Sequence, residues 1–380
     1  MIAEIDPFHA IAIGVEAHRL EAQGRSILHM EFGQPSTGAP SASIAEAHRI
    51  LDSDPMGYWE SPALKERIAL LYRERYGVSV SAEQILLTCG ASPGLVLALS
   101  CLFAPGARVA TARPGYVAYR NTLKALYLEP VELDCGPAER YQISAAALEA
   151  MEPAPDGVII ASPANPTGTI IPADEMARIA EVCARRGIRI VSDEIYHGLS
   201  YGEAAHSMLE FAPDTVVVNS FSKYFSMAGW RLGWVVFPPA LIDGARARMG
   251  NLFLTPPSLA QHAGLKAFDC IDELEGHVAT YRRNRELLLA ALPALGLKEI
   301  APPDGAFYIY ADVGHLTNDS LSFCQKLLEE TGVATAPGID FDPVDGHRHI
   351  RISFAVSTDR VEEAISRLIP WFKAQRSSAC

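Results

Sequence analysis

Between about Tyr58 and Phe237 the chain alternates amphipathic stretches with short, unbroken apolar runs. Ser61 to Tyr76 and Asp174 to Arg186 carry apolar residues at helical spacing, and Gly187 stops the second. Gln84 to Thr88, Arg108 to Ala112, Gly157 to Ala161, Ile188 to Ser192, Thr215 to Asn219 and Gly233 to Phe237 are short and mainly apolar. Such runs predict strands of a sheet covered on both faces. A helix over Pro93 to Leu102 follows the first of them at once. Strand and helix in alternation predict an α/β fold with a mostly parallel sheet.

Beyond Phe237 the pattern changes. Leu274 to Leu292 predicts one long, charged amphipathic helix, suited to joining two domains. Ala306 to Tyr310, Gly332 to Ala336 and His349 to Phe354 read as strands, and Ser320 to Glu330 and Thr358 to Lys373 as helices. That is an α+β lobe. A further helix, Pro7 to Gln23, suits either lobe. A chain of 380 residues exceeds what one core fills. Two domains are expected: residues 41–275, and residues 1–40 with 276–380.

Composition narrows the function classes. The chain has 32 basic and 45 acidic residues, a net charge of -13 that argues against nucleic acid or an anionic membrane as partner. No run approaches the ~18 apolar residues of a membrane span. The start, Met1-Ile2-Ala3-Glu4-Ile5-Asp6-Pro7, has acid and proline where a signal peptide has basic then apolar residues. Cys89, Cys101, Cys135, Cys183, Cys270, Cys324 and Cys380 are scattered and odd in number, with no CxxC pair. Free thiols in a reducing cytoplasm are expected, and no metal site. Ser377-Ser378-Ala379-Cys380 is expected to be a flexible tail.

The densest chemistry lies around Lys223, in Ser220-Phe221-Ser222-Lys223 followed by Gly229-Trp230-Arg231-Leu232-Gly233-Trp234. A lysine amine condenses with aldehydes, and burial lowers its pKa towards proton-transfer range. Serine and arginine nearby suit a phosphate. Gly90-Ala91-Ser92 ends a strand and opens a helix, where free amides and the helix dipole favour an anion, although many such turns are merely small and polar. Asp193 follows a predicted strand, at the sheet edge where ligands of open α/β sheets bind. It suits a protonated pyridine nitrogen or, equally, a helix N-cap. Tyr196 can donate its phenol to an oxyanion. Asn165, in Ser162-Pro163-Ala164-Asn165-Pro166-Thr167-Gly168, sits in a loop that also reads as a plain turn. Arg351 lies inside an apolar strand and needs a partner, either a substrate carboxylate or a structural acid.

Taken together, Ser-x-Ser-Lys with Gly-x-Arg-x-Gly-Trp, Asn-Pro-Thr-Gly and Ser-Asp-Glu-Ile-Tyr resemble the class I/II aminotransferases, pyridoxal 5'-phosphate enzymes of fold type I. The resemblance runs from Phe32-Gly33-Gln34-Pro35 to Arg351. It implies a large domain with a mostly parallel seven-stranded sheet between helices, and a smaller α+β domain. It implies that Lys223 forms the Schiff base and shuttles the proton, that Asp193 pairs with the pyridine nitrogen, and that Tyr196 and Asn165 hold the ring oxygen. Ser220, Arg231, Gly90, Ala91 and Ser92 would bind the phosphate, and Tyr116 would stack on the ring. Arg351 would bind the substrate α-carboxylate, and Gly33 falls where the N-terminal segment closes over substrate. Tyr58 matches a residue that reaches the phosphate of a neighbouring subunit, which implies a homodimer with shared sites. The Asn165–Pro166 bond is a candidate cis bond. The implied reaction moves an amino group from an L-amino acid to a 2-oxo acid by a ping-pong course.

Three features depart from the family pattern or qualify it. Ala63 stands where a glycine is usual five residues after Tyr58. Tyr116 replaces the tryptophan of the aspartate-specific branch, and no second arginine for a side-chain carboxylate is apparent. A β-eliminating C–S lyase would use the same constellation. A non-catalytic ligand sensor would carry a DNA-binding domain ahead of this fold, and Gly33 comes too early to leave room for one. An α/β hydrolase would need a G-x-S-x-G elbow, and none is present.

Overall fold

The computed structural model describes residues 4–378 and has the α/β architecture that the alternation predicts. After a short β1 (Leu28–His29) come β2 (Ile85–Thr88), β3 (Arg108–Arg113), β4 (Glu129–Asp134), β5 (Gly157–Ala161), β6 (Arg189–Asp193), β7 (Val216–Ser220) and β8 (Gly233–Val236). Strands β2 to β8 form one seven-stranded sheet in the order β2-β8-β7-β6-β5-β3-β4. β8 is antiparallel to both its neighbours, and the other pairs are parallel.

The unbroken apolar runs follow from burial on both faces. Val216 and Val218 pack into a core with Leu97, Phe237 and Met249, whereas Val217 between them joins a second core with Ile68, Tyr72 and Trp234. Successive residues of a strand point to opposite faces, so neither face can be polar. Each valine buried in this way contributes about 1.5–3 kcal/mol. Helices are delimited by local chemistry. Pro62–Tyr76 begins with the Ser61 hydroxyl accepting from the Leu64 amide at 3.2 Å and ends at Gly77.

The remaining strands are β9 (Tyr308–Asp312), β10 (Val333–Ala334), β11 (Ala336–Pro337) and β12 (His349–Ser353). They divide between a three-stranded sheet, β11-β12-β9, and the parallel pair of β1 with β10. The single strand predicted over Gly332 to Ala336 is therefore two: β10 pairs with β1, and β11 pairs with β12. The strand predicted over Ala306 to Tyr310 lies two residues further on, and the long helix extends to Ile271–Leu295. The helix His9–Ala22 is capped from the far end of the chain, where Asp340 accepts from the His9 and Ala10 amides at 2.8 Å each. The last helix runs from Thr358 to Ser378, so Ser377 and Ser378 are helical rather than a flexible tail. Ala379 and Cys380 lie outside the described residues. No helix among those described is long and apolar enough to cross a membrane.

Candidate active site

The topology gathers the predicted residues at one sheet edge. β2, β5, β6 and β7 all end there, delivering Gly90, the Asn165 loop, Asp193 and Lys223. Because β8 runs the other way, its first residue, Gly233, lies opposite both Thr88 and Ser220. That reversal brings Arg231 to the same edge. A cavity of about 370 Å³ opens there, lined by Gly33, Ala91, Ser92, Tyr116, Asn165, Asp193, Tyr196, Lys223, Arg231 and Arg351 among others. Gly90, Ser220 and Tyr58 are the predicted residues that do not line it.

Lys223 donates to the Gly33 carbonyl. Burial brings its pKa down to about 8, the Arg351 and Arg231 charges act in the same direction, and Asp193 opposes them. Asp193 accepts from the Tyr119 hydroxyl at 2.6 Å and from the Ile195 amide at 3.1 Å. Burial raises its pKa, and those two hydrogen bonds and Lys223 pull it back. No helix begins at Asp193, which disposes of the N-cap reading.

Arg351 is buried at 2% exposure in β12, the central strand of its sheet. Its guanidinium donates to Asn165 Oδ1 at 2.8 Å and to the Glu31 carbonyl at 2.5 Å, and it lies 4.5 Å above the Tyr308 ring. Among the described residues it has no acidic partner, and its Nε has no hydrogen bond. A buried cation with neutral partners calls for an anion from outside. Asn165 gives its oxygen to Arg351, so the NH₂ group is left to donate into the cavity. The Asn165–Pro166 bond is cis.

At the other end, the helix Ala91–Leu102 points its first turn at the cavity. Gly90 has φ +96°, and a Cβ there would lie 2.6 Å from an Arg231 nitrogen. Only glycine lets the chain turn this sharply under the guanidinium. Arg231 donates to the Ala228 and Cys89 carbonyls at 2.9 and 3.1 Å, so its charge also has no acidic partner among the described residues.

Residues 33–368 match the family described as aminotransferase class I and II. The chain is 43% identical to the valine–pyruvate aminotransferase of Mycobacterium tuberculosis, over 98% of each chain. A crystal structure of an aminotransferase from Mycobacterium tuberculosis superposes with a TM-score of 0.96, at 43% identity and 98% coverage of both chains. Aspartate aminotransferase from Thermus thermophilus with maleate gives 0.89, at 30% identity over 96% and 97%. The chain belongs to the class I and II aminotransferases.

These aminotransferases depend on pyridoxal 5'-phosphate, and this enzyme moves an amino group from an amino acid to a 2-oxo acid. The residues present fit that cofactor. A desolvated amine suits its aldehyde, a buried carboxylate suits its ring nitrogen, and a helix N-terminus with an unpaired arginine suits its phosphate. One placement differs from the expected one. Ser220 spends its hydroxyl on the Leu232 carbonyl at 3.0 Å and on Ser222 at 2.8 Å, and it is Ser222 that faces the aminotransferase cavity. Tyr58 is 84% exposed on the single chain.

Sequence reasoning also passed over Tyr119 and Tyr308. Tyr119 lies in the quoted Pro114-Gly115-Tyr116-Val117-Ala118-Tyr119 and bonds Asp193. Tyr308 shares a 2.7 Å hydrogen bond with Tyr196, and burial pushes its phenol up to about 12. Its position in an apolar strand carried no sign of the site. A Cβ on Gly33 would lie 2.0 Å from the Tyr308 hydroxyl, which explains glycine at that position.

Proposed function

We propose that Lys223 is the catalytic amine of this aminotransferase, with Asp193 facing the ring nitrogen and Arg351 holding the substrate α-carboxylate. One observation carries the reading: a desolvated lysine and a buried arginine without an acidic partner line the same cavity. Bound pyridoxal 5'-phosphate supplies an aldehyde and a ring that accepts the electron pair freed at Cα. With its pKa near 8, Lys223 Nζ is partly neutral at physiological pH, able to take the Cα proton and give it back. Asp193, held by Tyr119, stays ionised once a cationic N–H faces it. Asn165 and Tyr196 would donate to the ring oxygen, and Tyr116 would stack on the ring; all three line the cavity. Gly90, Ala91, Ser92, Ser220 and Arg231 form the phosphate cradle, in which Ser220 acts by orienting Ser222.

The donor is an amino acid with a neutral, apolar side chain. Among the described lining residues the cations are Lys223, Arg231 and Arg351, and each already has a task. Phe8 and Phe32 line the remaining wall. The naming of the Mycobacterium tuberculosis relative as a valine–pyruvate enzyme agrees.

The active form is a cytoplasmic homodimer in which Tyr58 reaches the partner's phosphate site. Its exposure and the six cysteines described as free support this. Residues 41–275 form the large domain. Residues 1–40 join 276–380 in the small one, through the β1–β10 pair and the Asp340 cap.

A panel of amino acids tests the donor, read from the spectral change as the cofactor takes up the amino group. Valine, leucine or alanine should convert it faster than aspartate or glutamate. Faster conversion by aspartate would overturn the apolar assignment. Release of pyruvate and a thiol from cystathionine, without amino transfer, would overturn transamination.

A further inference from the structure

The helix His9–Ala22 and β1 bring three potential metal ligands to one point outside the cavity. His18 and Glu21 are one turn apart on the helix, and His29 stands on the strand. One donor atom from each lies within 4.8 Å of the others. His18 Nδ1 is 3.0 Å and His29 Nε2 is 3.2 Å from the same oxygen, Glu21 Oε2. With bonds of about 2.0–2.2 Å, the donors of a tetrahedral zinc site stand about 3.3–3.6 Å apart. The cluster is already within a few tenths of an ångström of that spacing on two of its edges.

What lies behind His29 prepares it for this role. Its Nδ1 is 2.7 Å from an oxygen of Glu31, a fully buried carboxylate. A carboxylate there accepts a hydrogen bond from Nδ1–H, which keeps the proton on Nδ1, leaves the lone pair on Nε2, and orients and strengthens a ligating imidazole. Nε2 is itself buried and makes no hydrogen bond, although Glu21 is so near. The side chains of His18 and Glu21 are open to solvent, which leaves coordination positions for water.

We propose that His18, Glu21 and His29 form a binding site for a divalent transition-metal ion of the zinc class, with Glu31 fixing His29 from behind. Imidazole nitrogen with a single carboxylate favours zinc, cobalt or nickel over calcium or magnesium, which prefer all-oxygen sites. Cysteine spacing predicted no metal, but none of these ligands is a cysteine. Ligation ties a helix to a strand, so binding raises the stability of the folded chain.

The test uses tag-free holoenzyme titrated with Co²⁺, followed by its visible ligand-field bands and by competition with a chromophoric chelator. One ion per chain is expected, with a thermal midpoint that rises as the site fills. His18→Ala removes a solvent-exposed ligand. It should weaken binding by about tenfold or more while transamination is unchanged, and Glu31→Gln should weaken it by about 10- to 100-fold. Absence of stoichiometric uptake by the wild type would overturn the proposal, and so would a His18→Ala variant that binds as tightly as the wild type.

Discussion

Arg351→Lys tests the carboxylate anchor most directly, because it keeps the charge and removes the planar fork. Arginine offers five N–H donors. Two go to Asn165 and the Glu31 carbonyl, which leaves three for substrate, including the unpartnered Nε. A lysine reaches a carboxylate from one point and cannot also satisfy both neutral partners. Losing one of two charge-assisted bonds costs about 1.5–3 kcal/mol, which is about 10- to 150-fold in kcat/KM. The assay compares an apolar amino acid with the amine that lacks its carboxyl group, in wild type and variant. The preference for the amino acid over the amine should fall by that factor. If kcat/KM for the amino acid stays within about twofold of wild type, or if both compounds lose equally, Arg351 does not hold the carboxylate.

Lys223→Ala should lose the lysine-dependent absorbance of the bound cofactor and nearly all turnover, and a normal rate would refute its role. Asp193→Ala should retain cofactor, measured by release and quantitation, yet turn over far more slowly. Gly90→Ala forces a side chain into a left-handed position against Arg231, and should cost about 1–3 kcal/mol in cofactor affinity or stability. It is checked by cofactor dissociation and thermal melting. In the apoenzyme the depressed pKa of Lys223 means that, between about pH 8 and the ordinary lysine range, the unfolded chain binds more protons than the folded one. Stability contributed at this site should therefore rise with pH through that window, and be weakest below pH 8. The difference in unfolding free energy between wild type and Lys223→Met should shift in that sense, and a difference independent of pH would refute the burial argument.

Much of this was legible before any coordinates, for physical reasons that also mark its limits. β5, β6 and β7 were readable because both faces of each are buried, which forces unbroken apolar sequence. β4 was not, because it lies at the sheet edge with most of its residues partly exposed and so has no such run. The chemistry at the strand ends stood out because polar groups there interrupt apolar sequence: Asp193 as the last residue of β6, and Lys223 just after β7. Tyr308 stayed hidden because an aromatic residue in a strand is ordinary core material. Only the meeting of β9 with Tyr196 and Gly33 gives its hydroxyl a task. Ser220 and Ser222 could not be ranked from sequence, since the choice depends on which hydroxyl the Leu232 carbonyl captures.

The Glu31 and Gly33 carbonyls belong to one short segment, and each accepts from a different cation of the site: the first from Arg351, the second from Lys223. With the roles proposed for these two residues, the grip on the substrate's carboxylate and the base for its Cα proton would be gauged from the same few atoms of backbone. Pairing of β1 with β10 anchors that gauge to the C-terminal part of the chain. On those roles the distance between holding and deprotonating would be set by two peptide units, and a shift of this segment would carry both reference points together.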